Sequence, residues 1–344
     1  MTHAAAPSSP PPASAVSPGP AGADTVLQIE RLSHRFGSRS VLYDLNLSIR
    51  RGEIVALVGP SGCGKSTLLR AILGTHPPTE GRVLCNGRPV TGPGRDRGIV
   101  YQRYTLYPHM TALHNVMFGL MLADCGLLDR LARPFRFAAL RKAHREKAME
   151  ALKLVSLEHA ADLYPSELSG GMMQRVAIAQ ALVMEPEILL LDEPFASLDE
   201  ATREGLQQFL LRLYQQNVAD KKAGRTPRRS MIIVTHELNE ALFVADRVVG
   251  LSQYWDAAAE GLLQNGRHPG ATFIYDKVAP VFAPADLAAG AAANIPYHLL
   301  AAQREDIRRV VMDVAPPATL RPRRAHVQFD EQLRQGLGQG VLAP

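Results

Sequence analysis

One eight-residue stretch limits the possible folds of this chain more than any other feature. Residues 59–66 read Gly-Pro-Ser-Gly-Cys-Gly-Lys-Ser and fit the G-x-x-x-x-G-K-[ST] pattern of a phosphate-binding loop. A short, mostly apolar run at 53–58, typical of a strand buried on both faces, leads directly into it. Residues 66–73 follow with helical spacing of their apolar side chains. A strand, a glycine loop and a helix in this order predict an α/β domain that binds phosphate.

The chemistry of the loop follows from its residue types. Glycines let successive backbone N–H groups point inward at a phosphate, and the following helix adds its positive N-terminal end. Lys65 is expected to reach the β- and γ-phosphates of a nucleotide, and the Ser66 hydroxyl is expected to bind Mg²⁺. A glycine turn with a purely structural role is the alternative, and the flanking strand and helix argue against it.

A second apolar segment, residues 188–191, ends in the two carboxylates Asp192 and Glu193. Ionised carboxylates at the end of a buried strand cost free energy unless they are paired or bound to a metal. Asp192 fits the role of a Mg²⁺ ligand, and Glu193 is placed to polarise an attacking water. An acidic pair that only caps a helix is the alternative.

A third motif lies between these two. Residues 168–174 read Leu-Ser-Gly-Gly-Met-Met-Gln and begin a helical run at 172–184, so residues 169–171 predict a second anion site. By accident such a string occurs in roughly one chain in a few thousand of average composition. With the phosphate loop before it and the carboxylates after it, the chain resembles the ATP-binding subunit of an ABC transporter over residues 26–251.

The resemblance implies roles for further residues. In the family, the string at Ser169 binds the γ-phosphate of ATP held by the opposite subunit, which implies a head-to-tail dimer. Gln102 matches the glutamine that senses Mg²⁺ and signals to the membrane subunit, and His236 matches the switch histidine. Asp199 belongs to the loop that packs across the dimer, and Phe36 matches the aromatic that stacks on adenine. A structural histidine and an ordinary core aromatic are the alternatives for His236 and Phe36.

The predicted site therefore combines three sets of residues. The catalytic set is Lys65, Gln102, Glu193 and His236. The Mg²⁺ set is Ser66, Gln102 and Asp192. ATP is expected to contact Phe36, Gly59, Pro60, Ser61, Gly62, Cys63, Gly64, Lys65, Ser66, Thr67, Ser169, Gly170, Gly171, Gln174 and Asp199.

The predicted fold class is α/β: a P-loop NTPase nucleotide-binding domain of ABC type, with a RecA-like core, an antiparallel β edge subdomain and an inserted α-helical subdomain. Three segments are expected: a disordered, Pro- and Ala-rich stretch at 1–24, the domain at 25–280 with its helical subdomain at about 103–168, and a C-terminal extension of unknown role at 281–344. Further strands are expected at 26–30, 41–49, 98–101, 231–235, 247–251 and 271–275, and further helices at 146–155 and 297–312.

Composition favours a chain that does not itself cross a membrane. None of the 344 residues belongs to a span of about 20 mostly apolar residues, and residues 1–24 lack the Lys or Arg of a signal peptide. We therefore expect a cytoplasmic protein, and the resemblance implies a peripheral position on the inner face of the cell membrane. The net charge of +5 does not by itself indicate nucleic acid, and the three widely spaced cysteines are expected to be free thiols.

The resemblance also implies partners. Integral membrane permease subunits, a second copy of this chain and, indirectly, an extracytoplasmic solute-binding protein are expected; nucleic acid is not. Residues 91–98, leading into Gln102, resemble the nitrate, sulfonate and taurine importer group, whereas His109 and extra sequence around 126–147 depart from it. The alternative is a soluble, non-transport ABC ATPase acting on nucleic acid or ribosomes. Such chains usually carry a long coiled coil or a second nucleotide domain, and this chain has neither.

Three surface segments carry further expectations. Residues 128–147 hold seven Lys or Arg and two acidic residues, interleaved with apolar side chains. A solvated helical face and a patch against anionic lipid headgroups or the membrane subunit both fit this pattern. Residues 103–115 are expected to line the cleft that receives the membrane subunit, and the basic run 221–229 is expected to form a surface loop.

Overall fold

The computed structural model describes residues 24–102, 105–124, 134–196, 198–263, 268–279 and 297–313. The segment expected to be disordered at 1–24 lies outside these ranges except for Asp24, and so do Ser197, Cys125 and most of the extension expected at 281–344. The strands within the described ranges are β1 (Thr25–Phe36), β2 (Arg39–Arg50), β3 (Ile54–Val58), β4 (Glu80–Cys85), β5 (Arg88–Pro89), β6 (Arg97–Val100), β7 (Ile188–Asp192), β8 (Ser230–Thr235), β9 (Arg247–Ser252) and β10 (Thr272–Val278).

The α-helices within the described ranges are α1 (Lys65–Leu73), α2 (Ala112–Asp124), α3 (Pro134–Leu154), α4 (Gly170–Leu182), α5 (Glu200–Lys222), α6 (Leu238–Val244) and α7 (Tyr297–Ile307). The strands and helices expected from the sequence are all present, within a few residues at most ends. One boundary expectation was wrong: Lys221 and Lys222 form the last turn of α5, and the loop begins only after them.

The central sheet has the strand order β10-β9-β3-β8-β7-β6. β10 runs antiparallel to β9, and the other four pairings are parallel. β3, β8 and β9 are buried along their whole length, as expected for parallel strands covered on both faces. Because β3, β8, β7 and β6 are parallel neighbours, their carboxyl ends meet at one edge, where ligands bind in open α/β sheets.

The antiparallel edge is a second sheet of order β2-β1-β4-β5. The sequence predicted β1 and β2 but not β4 and β5. The first half of β4 is exposed and β5 has two residues, so neither shows the periodicity of a strand. One hydrophobic core lies between this sheet, α1 and the near face of the central sheet, and a second core lies on the opposite face of the central sheet.

The inserted subdomain is helical, as expected. α2, α3 and α4 pack against one another. The side chain of His144 on α3 is buried, and its Nε2 is 3.0 Å from Oδ2 of Asp124 on α2. The outer face of α3 is exposed at Arg141, Lys142 and Arg145, and Phe135 near its start is 92% exposed. Within the described residues, no helix combines the length and the apolar content needed to cross a bilayer.

Part of the C-terminal extension packs against the domain. α7 continues into a π-helical turn (Arg308–Met312). Val311 of this turn and Ile307, the last residue of α7, are both fully buried. A Cβ at Gly250 of β9 would lie 2.5 Å from Val311 Cγ2, so the glycine permits this close approach. Lys277 of β10 forms a 2.6 Å ion pair with Asp306. The folded unit therefore includes residues beyond 280.

We predict that Ile307→Ala lowers the free energy of unfolding by about 2–5 kcal/mol, because it leaves a cavity beneath α7. ATP affinity should stay unchanged, since this contact lies away from the phosphate loop. The control is Arg308→Ala, whose exposed ion pair with Glu305 contributes only about 0.2–1 kcal/mol. Urea unfolding of both variants measures the difference. Equal stabilities would mean that α7 is not part of the cooperative unit.

Candidate active site

The phosphate loop connects β3 to α1, and close contacts require two of its three glycines, Gly59 and Gly64. Gly64, the N-cap of α1, has φ 109°, and a Cβ there would lie 2.7 Å from Leu42 Cδ2 of β2. A Cβ at Gly59 would collide with the backbone oxygen of Leu251 at the end of β9. The loop is therefore held between the two sheets, with its backbone close to both.

Lys65 is buried at the base of the loop. Its Nζ donates hydrogen bonds to the backbone oxygens of Gly59 (2.7 Å) and Pro60 (3.0 Å). The ammonium group is thus aligned by the loop that would hold the phosphates. Cys63 is also buried, and burial raises the pKa of its thiol, while the charge of Lys65 partly opposes the rise.

Ser66 and Asp192 come together although they are 126 residues apart in sequence. Ser66 Oγ lies 3.5 Å from Asp192 Oδ2. Burial raises the pKa of Asp192, and the neighbouring Glu193 carboxylate adds to the rise, whereas Lys65 lowers it. A hydroxyl and a carboxylate are the hard oxygen ligands that Mg²⁺ prefers, so these two residues fit the predicted metal site.

The carboxylate of Glu193 is held between two of the other predicted catalytic residues. Gln102 Nε2 donates a 2.8 Å hydrogen bond to Glu193 Oε2, and His236 Nδ1 lies 3.4 Å from Glu193 Oε1. Glu193 has φ 48°, which is uncommon for a residue other than glycine, and its N–H donates to the backbone oxygen of Val234. The three side chains follow the ends of β6, β7 and β8, which explains why they meet.

Phe36 ends β1 and is 47% exposed. Its ring makes an edge-to-face contact with His34, with 4.6 Å between the ring centroids. Phe36 pairs with Arg39 at the start of β2, the strand that also packs against Gly64 through Leu42. An exposed aromatic ring on the strand pair beside the phosphate loop is a suitable surface for a nucleotide base.

The residues of the third motif lie at the start of α4. Ser169 is its N-cap, and the Ser169 Oγ accepts a hydrogen bond from Met172 N–H. Gln174 is buried, and its Nε2 has no hydrogen-bond partner within the described part of the chain. The backbone N–H groups at this helix N-terminus fit the second predicted anion site.

The first turn of α5 contacts the third motif. Asp199 is the N-cap of α5 and accepts hydrogen bonds from Thr202 N–H (3.1 Å) and Thr202 Oγ1 (2.7 Å). These bonds turn the threonine methyl toward Gly171, where an added Cβ would collide with it. Gly171 thus allows α4 and α5 to approach closely.

Sequence reasoning missed a polar pair beside the site, Arg203 on α5 and Glu240 on α6. Arg203 Nε lies 3.5 Å from Glu240 Oε1, and Thr235 Oγ1 donates to Glu240 Oε2 at 3.0 Å. Burial raises the pKa of Glu240, and the bond from Thr235 and the charge of Arg203 oppose the rise. The only signal in the sequence was a carboxylate in the largely apolar run of α6.

Comparison with known proteins identifies the class. Residues 42–196 match the family model described as ABC transporter. An uncharacterised ABC transporter ATP-binding protein of Methanocaldococcus jannaschii is 44% identical over 230 residues, which are 66% of this chain and 77% of that protein. The chain belongs to the family of ABC transporter ATP-binding proteins, and it is an ATPase of that class.

Two further relatives have more specific names. The sulfate/thiosulfate import ATP-binding protein CysA of Pseudomonas putida is 39% identical over 259 residues, 74% of this chain and 70% of that protein. The nitrate import ATP-binding protein NrtD of Synechocystis sp. is 42% identical over 216 residues, 63% of this chain and 72% of that protein.

The fold matches solved ATP-binding cassettes. One is the dimeric post-hydrolysis state of a cassette bound to ADP and Pi, which has a TM-score of 0.55 and 30% identity. The match covers 74% of this chain and 100% of that one. The predicted fold class is confirmed.

We predict that Cys63 reacts slowly with iodoacetamide at mildly alkaline pH. Each unit by which burial raises the thiol pKa lowers the thiolate fraction about tenfold. The reaction of the folded protein should therefore be slower than that of the protein in guanidinium chloride, measured by mass spectrometry of the peptide containing Cys63. Equal rates in the two states would show that the loop leaves this thiol open.

Proposed function

We propose that this chain is the ATP-hydrolysing subunit of an ABC importer, and that it couples Mg-ATP binding and hydrolysis in a head-to-tail dimer to solute uptake through separate membrane subunits. The observation that carries the proposal is the Glu193 carboxylate, held by Gln102 and faced by His236 at the carboxyl ends of adjacent strands. A carboxylate held in this way can accept a proton from a water molecule that attacks a phosphate.

The other residues have supporting roles in this proposal. Lys65 and the backbone of residues 59–67 bind the β- and γ-phosphates, and Phe36 stacks on the base. Ser66, Asp192 and Gln102 hold Mg²⁺, which supplies charge neutralisation of the phosphate oxygens when bound. His236, whose Nδ1 lies 3.4 Å from Glu193 Oε1, would contact the γ-phosphate.

The dimer completes the site. Ser169, Gly170, Gly171 and Gln174 bind the γ-phosphate held by the partner copy, and Asp199 lies in the segment that packs across the interface. Two observations support this arrangement. The third motif stands at the N-terminus of α4, where backbone N–H groups can bind an anion, and a matched cassette with ADP and Pi is described as dimeric.

We predict that Glu193→Gln lowers the rate of ATP hydrolysis by about 10²–10⁴-fold, because the amide cannot accept the proton. ATP binding should persist, and the variant should accumulate as an ATP-bound dimer in size-exclusion chromatography. Glu158→Gln, an exposed position in a distant turn, is the matched control. Hydrolysis by Glu193→Gln at the wild-type rate would exclude Glu193 as the base.

The importer proposal also concerns the membrane. We infer that the protein is cytoplasmic and peripheral on the inner face, where it binds integral permease subunits and, through them, responds to an extracytoplasmic solute-binding protein. The contact surface is the segment after Gln102. Tyr107 is partly exposed there, packed edge-to-face on Phe118 at 4.8 Å, and its N–H donates to Asn115 Oδ1. This support holds an aromatic ring at the surface beside the catalytic glutamine.

We predict that Tyr107→Asp abolishes co-purification with an integral membrane protein from detergent-solubilised membranes and leaves basal ATP hydrolysis within about twofold of wild type. A buried carboxylate at an apolar contact costs far more than an exposed one. Val278→Asp is the control, since this exposed residue ends the strand at the opposite edge of the central sheet. Unchanged recovery of Tyr107→Asp would remove this surface from the interface.

The transported solute is proposed as a small oxyanion or sulfonate of the nitrate, sulfonate and taurine type. The names of the matched relatives, which import sulfate or thiosulfate and nitrate, support this class. Uptake of labelled nitrate, sulfate and taurine by cells with and without the Glu193→Gln variant tests it. If the pull-down instead recovers ribosomes or nucleic acid and no membrane protein, the soluble ABC ATPase becomes the better interpretation.

A further inference from the structure

Glu240 is unusual because it is an acidic side chain in the interior. It is 7% exposed and lies on α6, among Leu238, Ala241 and Leu242, which are buried. A carboxylate in such surroundings costs free energy unless its oxygens have partners. Both oxygens have one: Oε2 accepts a hydrogen bond from Thr235 Oγ1, and Oε1 lies 3.5 Å from Arg203 Nε in an ion pair that lacks hydrogen-bond geometry.

The two partners of Glu240 lie on different parts of the active site. Thr235 is the last residue of β8, directly before His236, and its Oγ1 also accepts a 3.0 Å hydrogen bond from Glu237 N–H. The hydroxyl therefore joins the residues on both sides of His236. Because His236 Nδ1 lies 3.4 Å from Glu193, a change in this turn would move the imidazole relative to the carboxylate.

Arg203 belongs to the first turn of α5. Its Nη2 donates to the backbone oxygen of Leu198 (3.4 Å), and its Nη1 donates to Glu200 Oε2 (2.9 Å). The guanidinium group thus holds the start of α5, next to Asp199, while its Nε faces Glu240. A continuous series of polar contacts runs from the segment at Leu198 through Arg203 and Glu240 to the turn that carries His236.

We propose that Arg203 and Glu240 are positioning residues that set the His236 turn relative to the segment at Leu198 and Asp199. The proposal rests on the roles proposed above for His236 and Glu193. The pair is only partly buried, with the Arg203 side chain 34% and the Glu240 side chain 9% exposed, and such a pair adds little stability, so we assign its effect to geometry. Small displacements of a catalytic group can lower the rate about 10²-fold, which makes such a pair effective.

The test compares steady-state ATP hydrolysis with equilibrium ATP binding in Glu240→Gln, Arg203→Met and the double variant. We expect each single variant to lower kcat about tenfold or more, with ATP affinity within about twofold of wild type. The double variant should be no slower than the slower single variant, because the two residues act as one unit. Arg203→Lys, which keeps the charge, should restore part of the lost rate.

Matched controls come from the same helix. Glu204→Gln and Arg212→Met change exposed residues of α5 by the same chemistry and should leave kcat unchanged. If Glu240→Gln does not fold, Thr235→Val and Thr235→Ser replace it. Both variants leave the ion pair intact, but only serine keeps the hydroxyl group. The valine variant should therefore have a lower kcat, and the serine variant should keep the kcat of wild type.

The outcomes separate this inference from the proposed function. If Glu193→Gln loses turnover while Glu240→Gln and Arg203→Met behave like their controls, the positioning role is wrong and the function stands. If ATP affinity falls in parallel with kcat, or if the two single effects add in the double variant, the pair supports the fold generally and the inference is also wrong. If Glu193→Gln turns over at the wild-type rate, it is the proposed function that fails.

Discussion

Parallel hydrogen bonding in the central sheet brings the carboxyl ends of β3, β8, β7 and β6 to one edge, and every polar group of the catalytic centre follows one of these ends. The phosphate loop follows β3, His236 follows β8, Glu193 follows β7 and Gln102 comes two residues after β6. β3 and β8 are buried along their whole length and β7 as far as Leu191, so these strands cannot slip without exposing apolar side chains. The geometry of the site is therefore as rigid as the core that supports it.

Charge burial is the main electrostatic cost of this arrangement. Asp192 and Glu193 are consecutive residues, and Glu240 is a third carboxylate beside the site. Burial raises the pKa of Asp192 and of Glu240. Each carboxylate has specific partners: Ser66 faces Asp192, Gln102 donates to Glu193, and Thr235 donates to Glu240. Polar partners of this kind keep the groups ionisable within a largely apolar surrounding.

α5 is the element that connects the two halves of the chemistry within one chain. Thr202 in its first turn touches Gly171 of the third motif, and the next residue, Arg203, faces Glu240 beside the histidine turn. In the proposed head-to-tail dimer, the contact at Gly171 and the contact at Glu240 would serve different ATP molecules. A rigid helical turn between them offers a physical route by which the state of one site can influence the other, since packed elements move as units.

The amino-acid sequence alone determined the phosphate loop, the strand that ends in Asp192 and Glu193, the motif at Ser169, and the α/β fold that these require. Such features depend on local spacing: glycines before a helix N-terminus, or an apolar run that ends in carboxylates, are visible within about ten residues. The positions of Gln102 and His236 could be predicted only through the resemblance, because a lone glutamine or histidine has no local pattern.

Only the tertiary structure decided which distant residues meet. The contact of Gln102 with Glu193 spans 91 residues of sequence, and the packing of Val311 on Gly250 depends on where the chain returns after β10. β4 is stabilised by pairing with β1, and β5 by pairing with β4, rather than by a periodicity of their own, so the sequence pattern did not predict them. Arg203 and Glu240 likewise look like ordinary helix charges until α5 and α6 pack together. Contacts between residues far apart in sequence form only when the chain folds, so the spacing of residues along the sequence does not predict them.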